Sequence, residues 1–247
     1  RRAFAVARSA GFRRVNCDLI FAFPGQDPVA WREDLLEVIG WGPEHLSCYE
    51  LSYEPGTALT RLRDAGRWEQ EENARCLELF EQTQELCATH GYGAYEVSAF
   101  ARSGEASLHN LAYWRSLEWV GIGAGAASWR AGERRRNLER PELYEAALAR
   151  AADPVDERER PMPVTLLFDA LMMGLRLREE GVSLQRLQRL CGLDPAVACA
   201  PVWQQLHDEG LLETIGAGPE QRARATPRGL LILDDVLLRL APNRLEV

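Results

Sequence analysis

The amino-acid sequence predicts an α/β fold class: part of a parallel, barrel-like sheet with its helices, followed by a mainly helical module of winged-helix type. Two observations lead there. Between Val15 and Phe100, apolar strand-like runs alternate with helical periodicity, which is the pattern of βα units. From residue 138 onward the pattern changes to helices interrupted by one short hairpin. The composition, 46% hydrophobic and 27% charged over 247 residues, is that of a globular chain with room for more than one core.

Residues 1–10 read as the end of a helix, stopped by Gly11. Val15 to Phe23 is an almost continuous apolar run, broken by Asn16 and Asp18, and suits a strand covered on both faces. Pro24-Gly25 turns the chain. Asp27 then caps a helix with Pro28 in its first position, and this helix stops at Gly40 and Gly42. A second strand is expected at Leu46–Ser52, a loop at Glu54-Pro55-Gly56, a helix over about 69–89 and a third strand at Tyr92–Phe100. Three strands cannot close a barrel. Further strands are therefore expected ahead of position 1, which is Arg and not Met.

Pro141–Ala152 reads as a helix, and Asp153–Pro163 as a charged linker marked by prolines. Helices follow at Val164–Arg178, Leu184–Cys191 and Ala196–Glu209, with a hairpin of Leu211–Glu213 and Arg222–Ala225. A last helix is capped at Thr226-Pro227 and runs to Leu240. The expected division is 1–137, 138–163 and 164–247.

Charge excludes one function class. A formal net charge of −8 opposes broad nucleic-acid binding, which needs a positive field. The winged-helix reading points toward DNA, but the segment 196–205 that would enter a groove holds no Arg or Lys. The basic run Arg134-Arg135-Arg136 is flanked by Glu133 and Glu139 and reads as a solvated loop. No apolar stretch reaches the length of a membrane span, and the N-terminus lacks the pattern of a signal peptide, so cytoplasm is the expected compartment. The six cysteines, at 17, 48, 76, 87, 191 and 199, form no C-x-x-C or C-x-x-x-C pair and read as buried thiols.

Alternation along the first strand places Asn16 and Asp18 on one face. They are either functional groups at a barrel mouth or anchors for a neighbouring loop. The segment His109-Asn110-Leu111-Ala112-Tyr113-Trp114 gathers an imidazole, an amide and two large aromatics in six residues. An exposed neutral imidazole is a good iron ligand, and flat rings stack on a macrocycle; a structural histidine is the other reading. The glycine run Gly121–Ala126 matches a dinucleotide loop poorly and suits a tight turn or a close backbone approach. His45, His90 and His207 read as structural.

Taken in order, several segments resemble the branch of the radical S-adenosylmethionine (SAM) superfamily that holds oxygen-independent coproporphyrinogen oxidases and HemW-type heme chaperones. They are Asp18–Gln26, Leu46–Leu51, Glu54–Thr57, Tyr95–Ser98, His109–Trp114, Gly121–Ala126 and Leu171–Leu177. Each is weak alone; the ordered set is specific and spans nearly the whole chain. The His-Asn-x-x-Tyr-Trp segment favours the HemW-type side. The resemblance implies the C-terminal portion of a radical SAM (β/α) barrel, with a HemN-type C-terminal domain at 164–247.

By the same resemblance, His109, Asn110, Tyr113 and Trp114 would bind heme, with His109 the candidate iron ligand, and Asp18 and Tyr49 would line a SAM pocket. The implied activity is heme delivery to an acceptor protein, one of a respiratory complex being a candidate, rather than catalysis; the alternative is oxidative decarboxylation of coproporphyrinogen III. SAM and a [4Fe–4S] cluster are implied for a longer form alone. The family's Cys-x-x-x-Cys-x-x-Cys motif is absent here, and Ala127 stands where relatives often carry His or another polar residue.

Overall fold

The computed structural model describes residues 1–241, which fall into two compact units, one spanning Arg1–Ser107 and one beginning at Leu108. The expected boundary at 137/138 instead falls between two strands that pair with each other, 133–137 and 155–159. Positions 242–247 of the expected last domain lie outside the described residues.

The first unit runs α1 (Arg2–Ser9), β1 (Asn16–Phe21), α2 (Pro28–Trp41), β2 (His45–Glu50), α3 (Ala58–Asp64), α4 (Asn73–Thr89), β3 (Gly93–Ala94) and β4 (Ala99–Ala101). Asp27 caps α2 by accepting a hydrogen bond from the Val29 amide at 3.0 Å, and Gly42 ends it with φ +73°. The sheet order is β1-β2-β4-β3, with β1 and β2 parallel in the register Asn16↔His45, Asp18↔Ser47 and Ile20↔Tyr49. Phe21, Leu46 and Cys48 turn to the other face, where they pack with Trp31, Leu35, Leu79 and Leu86 of α2 and α4. Inside this core the Trp31 indole N–H donates to Thr83 Oγ at 2.9 Å.

Two features correct the expected pattern. The apolar stretch Tyr92–Phe100 is a hairpin and not a third parallel strand, because β4 pairs antiparallel with both β2 and β3. The Tyr95 amide closes that reversal by donating to the Ala99 carbonyl at 3.2 Å, and the buried Glu96 carboxylate accepts from the Ser98 amide at 3.1 Å. The loop after Gly56 holds the short helix α3, capped by Thr57 Oγ.

The second unit opens with α5 (Leu108–Trp114) and then forms an antiparallel sheet of β5 (Ala127–Arg130), β6 (Glu133–Asn137) and β7 (Val155–Glu159), with α6 (Pro141–Ala149) between the last two strands. Both the expected basic loop and the expected linker are therefore strands. Glu133 Oε1 accepts from Arg135 at 2.7 Å and Arg158 at 2.9 Å, which sets one negative charge between two arginines lying opposite each other in the register. These hydrogen bonds hold the Glu133 carboxyl below its ordinary range.

The winged-helix-type part consists of α7 (Pro163–Gly174), β8 (Val182–Ser183), α8 (Leu184–Cys191), α9 (Pro195–Ala198), α10 (Val202–Asp208), β9 (Leu212–Ile215), β10 (Arg222–Ala225), α11 (Pro227–Leu231) and α12 (Leu233–Leu240). Its sheet order is β8-β10-β9. The expected helix at 196–209 is two pieces separated by Pro201, whose ring nitrogen donates nothing to a helix. The expected last helix likewise breaks at Ile232. Gly174 lets α7 lie against β8, since a Cβ there would sit 2.6 Å from Val182 Cβ.

Candidate functional site

The parallel register of the first unit sets Asn16, Asp18 and Ile20 beside His45, Ser47 and Tyr49 on the sheet face opposite the core. A directed hydrogen-bond chain runs across it. Asn16 Nδ2 donates to Asp18 Oδ1 at 2.7 Å, so its Oδ1 is left to accept from His45 Nδ1–H at 2.7 Å. With the proton on Nδ1, His45 Nε2 accepts from the Tyr95 hydroxyl at 2.8 Å. Ser47 Oγ joins at 3.1 Å from Asn16 Nδ2.

His45 is 6% exposed, and burial pushes its pKa down against the smaller opposing pull of the Asp18 charge. The chain ends at the exposed Asp18 carboxylate, an acceptor for hydroxyl or amine donors. Tyr49 and Ile20, paired across the strands, stand 44% and 47% exposed on the same face. Asp18 and Tyr49 thus share one surface. The missed member is His45: alternation of His45, Ser47 and Tyr49 with Leu46 and Cys48 marks it as a strand residue, whereas the expected strand began one residue later.

The His109 segment forms α5, and its spacing makes two pairs one helical turn apart. His109 and Tyr113 share one side, with ring centroids 4.8 Å apart and edge-on, and Trp119 extends the stack at 4.8 Å from Tyr113. Asn110 and Trp114 form the second pair, with the Arg176 guanidinium 5.9 Å above the Trp114 ring. His109 is exposed, and its ring nitrogens make no hydrogen bond among the described residues. An imidazole in that state keeps a lone pair for a ligand.

The glycine run has no such freedom. Amides of Gly121, Gly123 and Gly125 donate to Ser128 Oγ, the Tyr144 hydroxyl and the Leu138 carbonyl. A Cβ on Gly121 would lie 2.1 Å from the Ala127 carbonyl oxygen. The run is a tight turn whose three glycine amides are already engaged by Ser128, Tyr144 and Leu138.

The remaining histidines are held by their surroundings. His207 bonds the Trp203 carbonyl at 2.8 Å and Thr214 Oγ at 3.0 Å, and His90 bonds the Leu86 carbonyl at 2.8 Å. Of the cysteines, Cys48, Cys87 and Cys199 are buried while Cys17, Cys76 and Cys191 are half-buried. The Cys87 thiol and burial raise the Cys48 pKa, and burial raises that of Cys199 to about 11. Among the described residues no three His, Cys, Asp or Glu side chains converge as a metal site, so the thiols of this chain do not fit a [4Fe–4S] cluster.

Comparison with known proteins adds to this geometry. Residues 163–232 match the HemN C-terminal domain. The heme chaperone HemW of Bacillus subtilis is 28% identical over 95% of this chain and 60% of its own length. That of Mycobacterium tuberculosis is 31% identical over 97% of this chain and 59% of its own. Over nearly its whole length the chain is similar to these HemW-type heme chaperones.

It spans about six tenths of the length of these curated HemW-type relatives. The solved Escherichia coli coproporphyrinogen III oxidase HemN, a radical SAM enzyme, superposes with a TM-score of 0.71 at 16% identity, over 98% of this chain and 58% of its own. That likeness shows the fold, a radical SAM α/β architecture with the HemN-type C-terminal domain. Radical SAM membership implies SAM and a [4Fe–4S] cluster for the family as a whole.

Proposed function

We propose that this chain is the heme-holding part of a heme chaperone, which binds heme at α5 and passes it to an acceptor protein. The observation that carries this reading is His109: an exposed imidazole with no hydrogen bond among the described residues, set edge-on to Tyr113. Bound heme would supply an iron that accepts one nitrogen donor and flat faces that stack on aromatic rings. Tyr113 orients the imidazole, Trp119 buttresses Tyr113, and Asn110 and Trp114 shape the adjoining side of the helix. A single exposed ligand suits a carrier better than a resident site, because an acceptor can reach the porphyrin and compete for it.

On the other unit, the Asp18 carboxylate, held by Asn16, and the Tyr49 ring are the groups proposed to receive the hydroxyls and the flat base of SAM. The cysteines of this chain do not fit a cluster. Among the described residues no helix is long and apolar enough to cross a membrane, and a place in the cytoplasm, an acceptor of the respiratory kind and no role on nucleic acid belong to the same proposal.

Titration of the purified chain with hemin tests it. A saturable shift of the Soret band is expected, weakened about tenfold or more in His109→Ala, the equivalent of one lost ligand bond. No Soret change in the unmodified chain, or an identical titration in His109→Ala, defeats the reading. Anaerobic conversion of coproporphyrinogen III to protoporphyrinogen would assign the protein to the decarboxylating branch instead.

A further inference from the structure

The second unit contains a cavity of about 200 Å³ that none of the foregoing uses. Trp114 and Arg115 at the end of α5 line it together with Glu180, Ser183, Arg186, Arg189 and Arg222, while Ala170, Val182, Leu187 and Leu190 make its apolar wall. Four guanidiniums thus meet one carboxylate. Glu180 is already saturated: Arg115 Nε and Nη2 approach it at 3.0 and 2.7 Å, and Arg222 Nη2 at 2.6 Å.

Arg186 and Arg189 make no salt bridge among the described residues; Arg186 Nη2 donates to the Ser116 carbonyl and Arg189 Nη2 to the Gln185 amide oxygen. The Nη1 groups of Arg115, Arg186 and Arg222 make no hydrogen bond there either. Two further donors in the wall, Arg186 Nε and Trp114 Nε1, are shut off from solvent without a partner. Burial and the neighbouring Arg189 and Arg115 depress the Arg186 pKa, a sign that positive charge is crowded at this point.

Arg186 is half-buried without a carboxylate partner among the described residues and stands beside the exposed Arg189, so a negative group entering here would relieve crowded positive charge. Guanidiniums present paired N–H donors that match the oxygens of a carboxylate or phosphate. A volume of this size takes one acid group and excludes a macrocycle.

We propose that this cavity is an oxyanion site, receiving a single carboxylate or phosphate group on Arg186, Arg189 and the free edges of Arg115 and Arg222. The ligand is either a free phosphate-type anion or an acid side arm of a larger molecule such as a porphyrin. Because the cavity stands on its own residues, the inference does not rest on the heme reading.

Thermal unfolding of the chain in inorganic phosphate, against chloride at matched ionic strength, is the first arm. Phosphate is expected to raise Tm along a saturating curve whose midpoint moves about tenfold higher in Arg186→Gln and in Arg189→Gln, as removal of one charge-assisted contact requires. Arg189 is exposed, so its variant carries the test if Arg186→Gln fails to fold. Arg75→Gln, in the other unit, should leave the curve unchanged.

The second arm compares hemin with its dimethyl ester. Preference for the diacid, lost in both arginine variants, would identify the anion as a porphyrin acid group. A phosphate response without that preference would identify a free anion, and would stand even if neither porphyrin bound. Absence of both effects in the unmodified chain, or their persistence in both variants, overturns the proposal.

Discussion

His45 and His109 are the same side chain in opposite circumstances. On the sheet of the first unit, His45 is buried, its tautomer fixed, and each ring nitrogen used, one toward Asn16 and one toward Tyr95. On α5 of the second unit, His109 stands in solvent with one ring neighbour and no hydrogen bond among the described residues. A histidine held on both nitrogens contributes to the fold, while one held on neither is free to contribute to a ligand. Neighbours that occupy the lone pair, rather than the residue type, decide between the two.

The comparison breaks most easily at His45. Its replacement by Ala should destabilise the chain by about 2–4 kcal/mol, because the change removes two hydrogen bonds and leaves a void in a site closed to water. Chemical denaturation with a fixed m-value measures this. A cost below about 1 kcal/mol would mean that the Asn16–His45–Tyr95 chain does not brace the sheet.

Acidity sharpens the contrast. Burial lowers the pKa of His45 in the folded chain beneath its ordinary value of 6.5. The unfolded state therefore binds the proton first, and this contribution to stability is present above about pH 6.5 and is lost as pH falls toward the folded value. The slope is at most about 1.4 kcal/mol per pH unit. His45→Gln, whose amide can donate to Asn16 and accept from Tyr95 without titrating, should show a flatter stability profile between pH 6.5 and 5. Parallel profiles for the two proteins would rule out His45 as the titrating group.

How far this was legible in the sequence depends on whether the cause is local. Asp27 with Pro28, and Gly42 after the last helical turn, mark α2 because caps act within a few residues. Helix α8 and strand β10 fall at the expected positions for the same reason. The hairpin at Tyr92–Phe100 reads as one strand because its apolar pattern hides a turn closed by the Tyr95 amide on the Ala99 carbonyl and by the Glu96 carboxylate on the Ser98 amide. Strands β6 and β7 carry charges where strands usually carry β-branched residues, and only their register reveals that Glu133 bridges Arg135 and Arg158. At the candidate site, the side chains of the His109 segment are visible in the text, and the helix that sorts them into two pairs is not. The arginine cavity is invisible altogether, since positions 115, 186, 189 and 222 meet only after folding.

The smallest expected effect closes the comparison from the other side. His109→Ala should alter stability by no more than about 0.5 kcal/mol, as expected for an exposed residue whose ring makes no hydrogen bond among the described residues. Its ring pair with the edge of Tyr113 at 4.8 Å is the kind of surface contact that contributes about that much. The measurement matters because loss of heme binding in this variant has two explanations, a missing ligand or a disturbed helix. Unchanged unfolding leaves the missing ligand. A loss of 2 kcal/mol or more would show that His109 braces α5 as His45 braces the sheet, and the distinction between the two histidines would disappear.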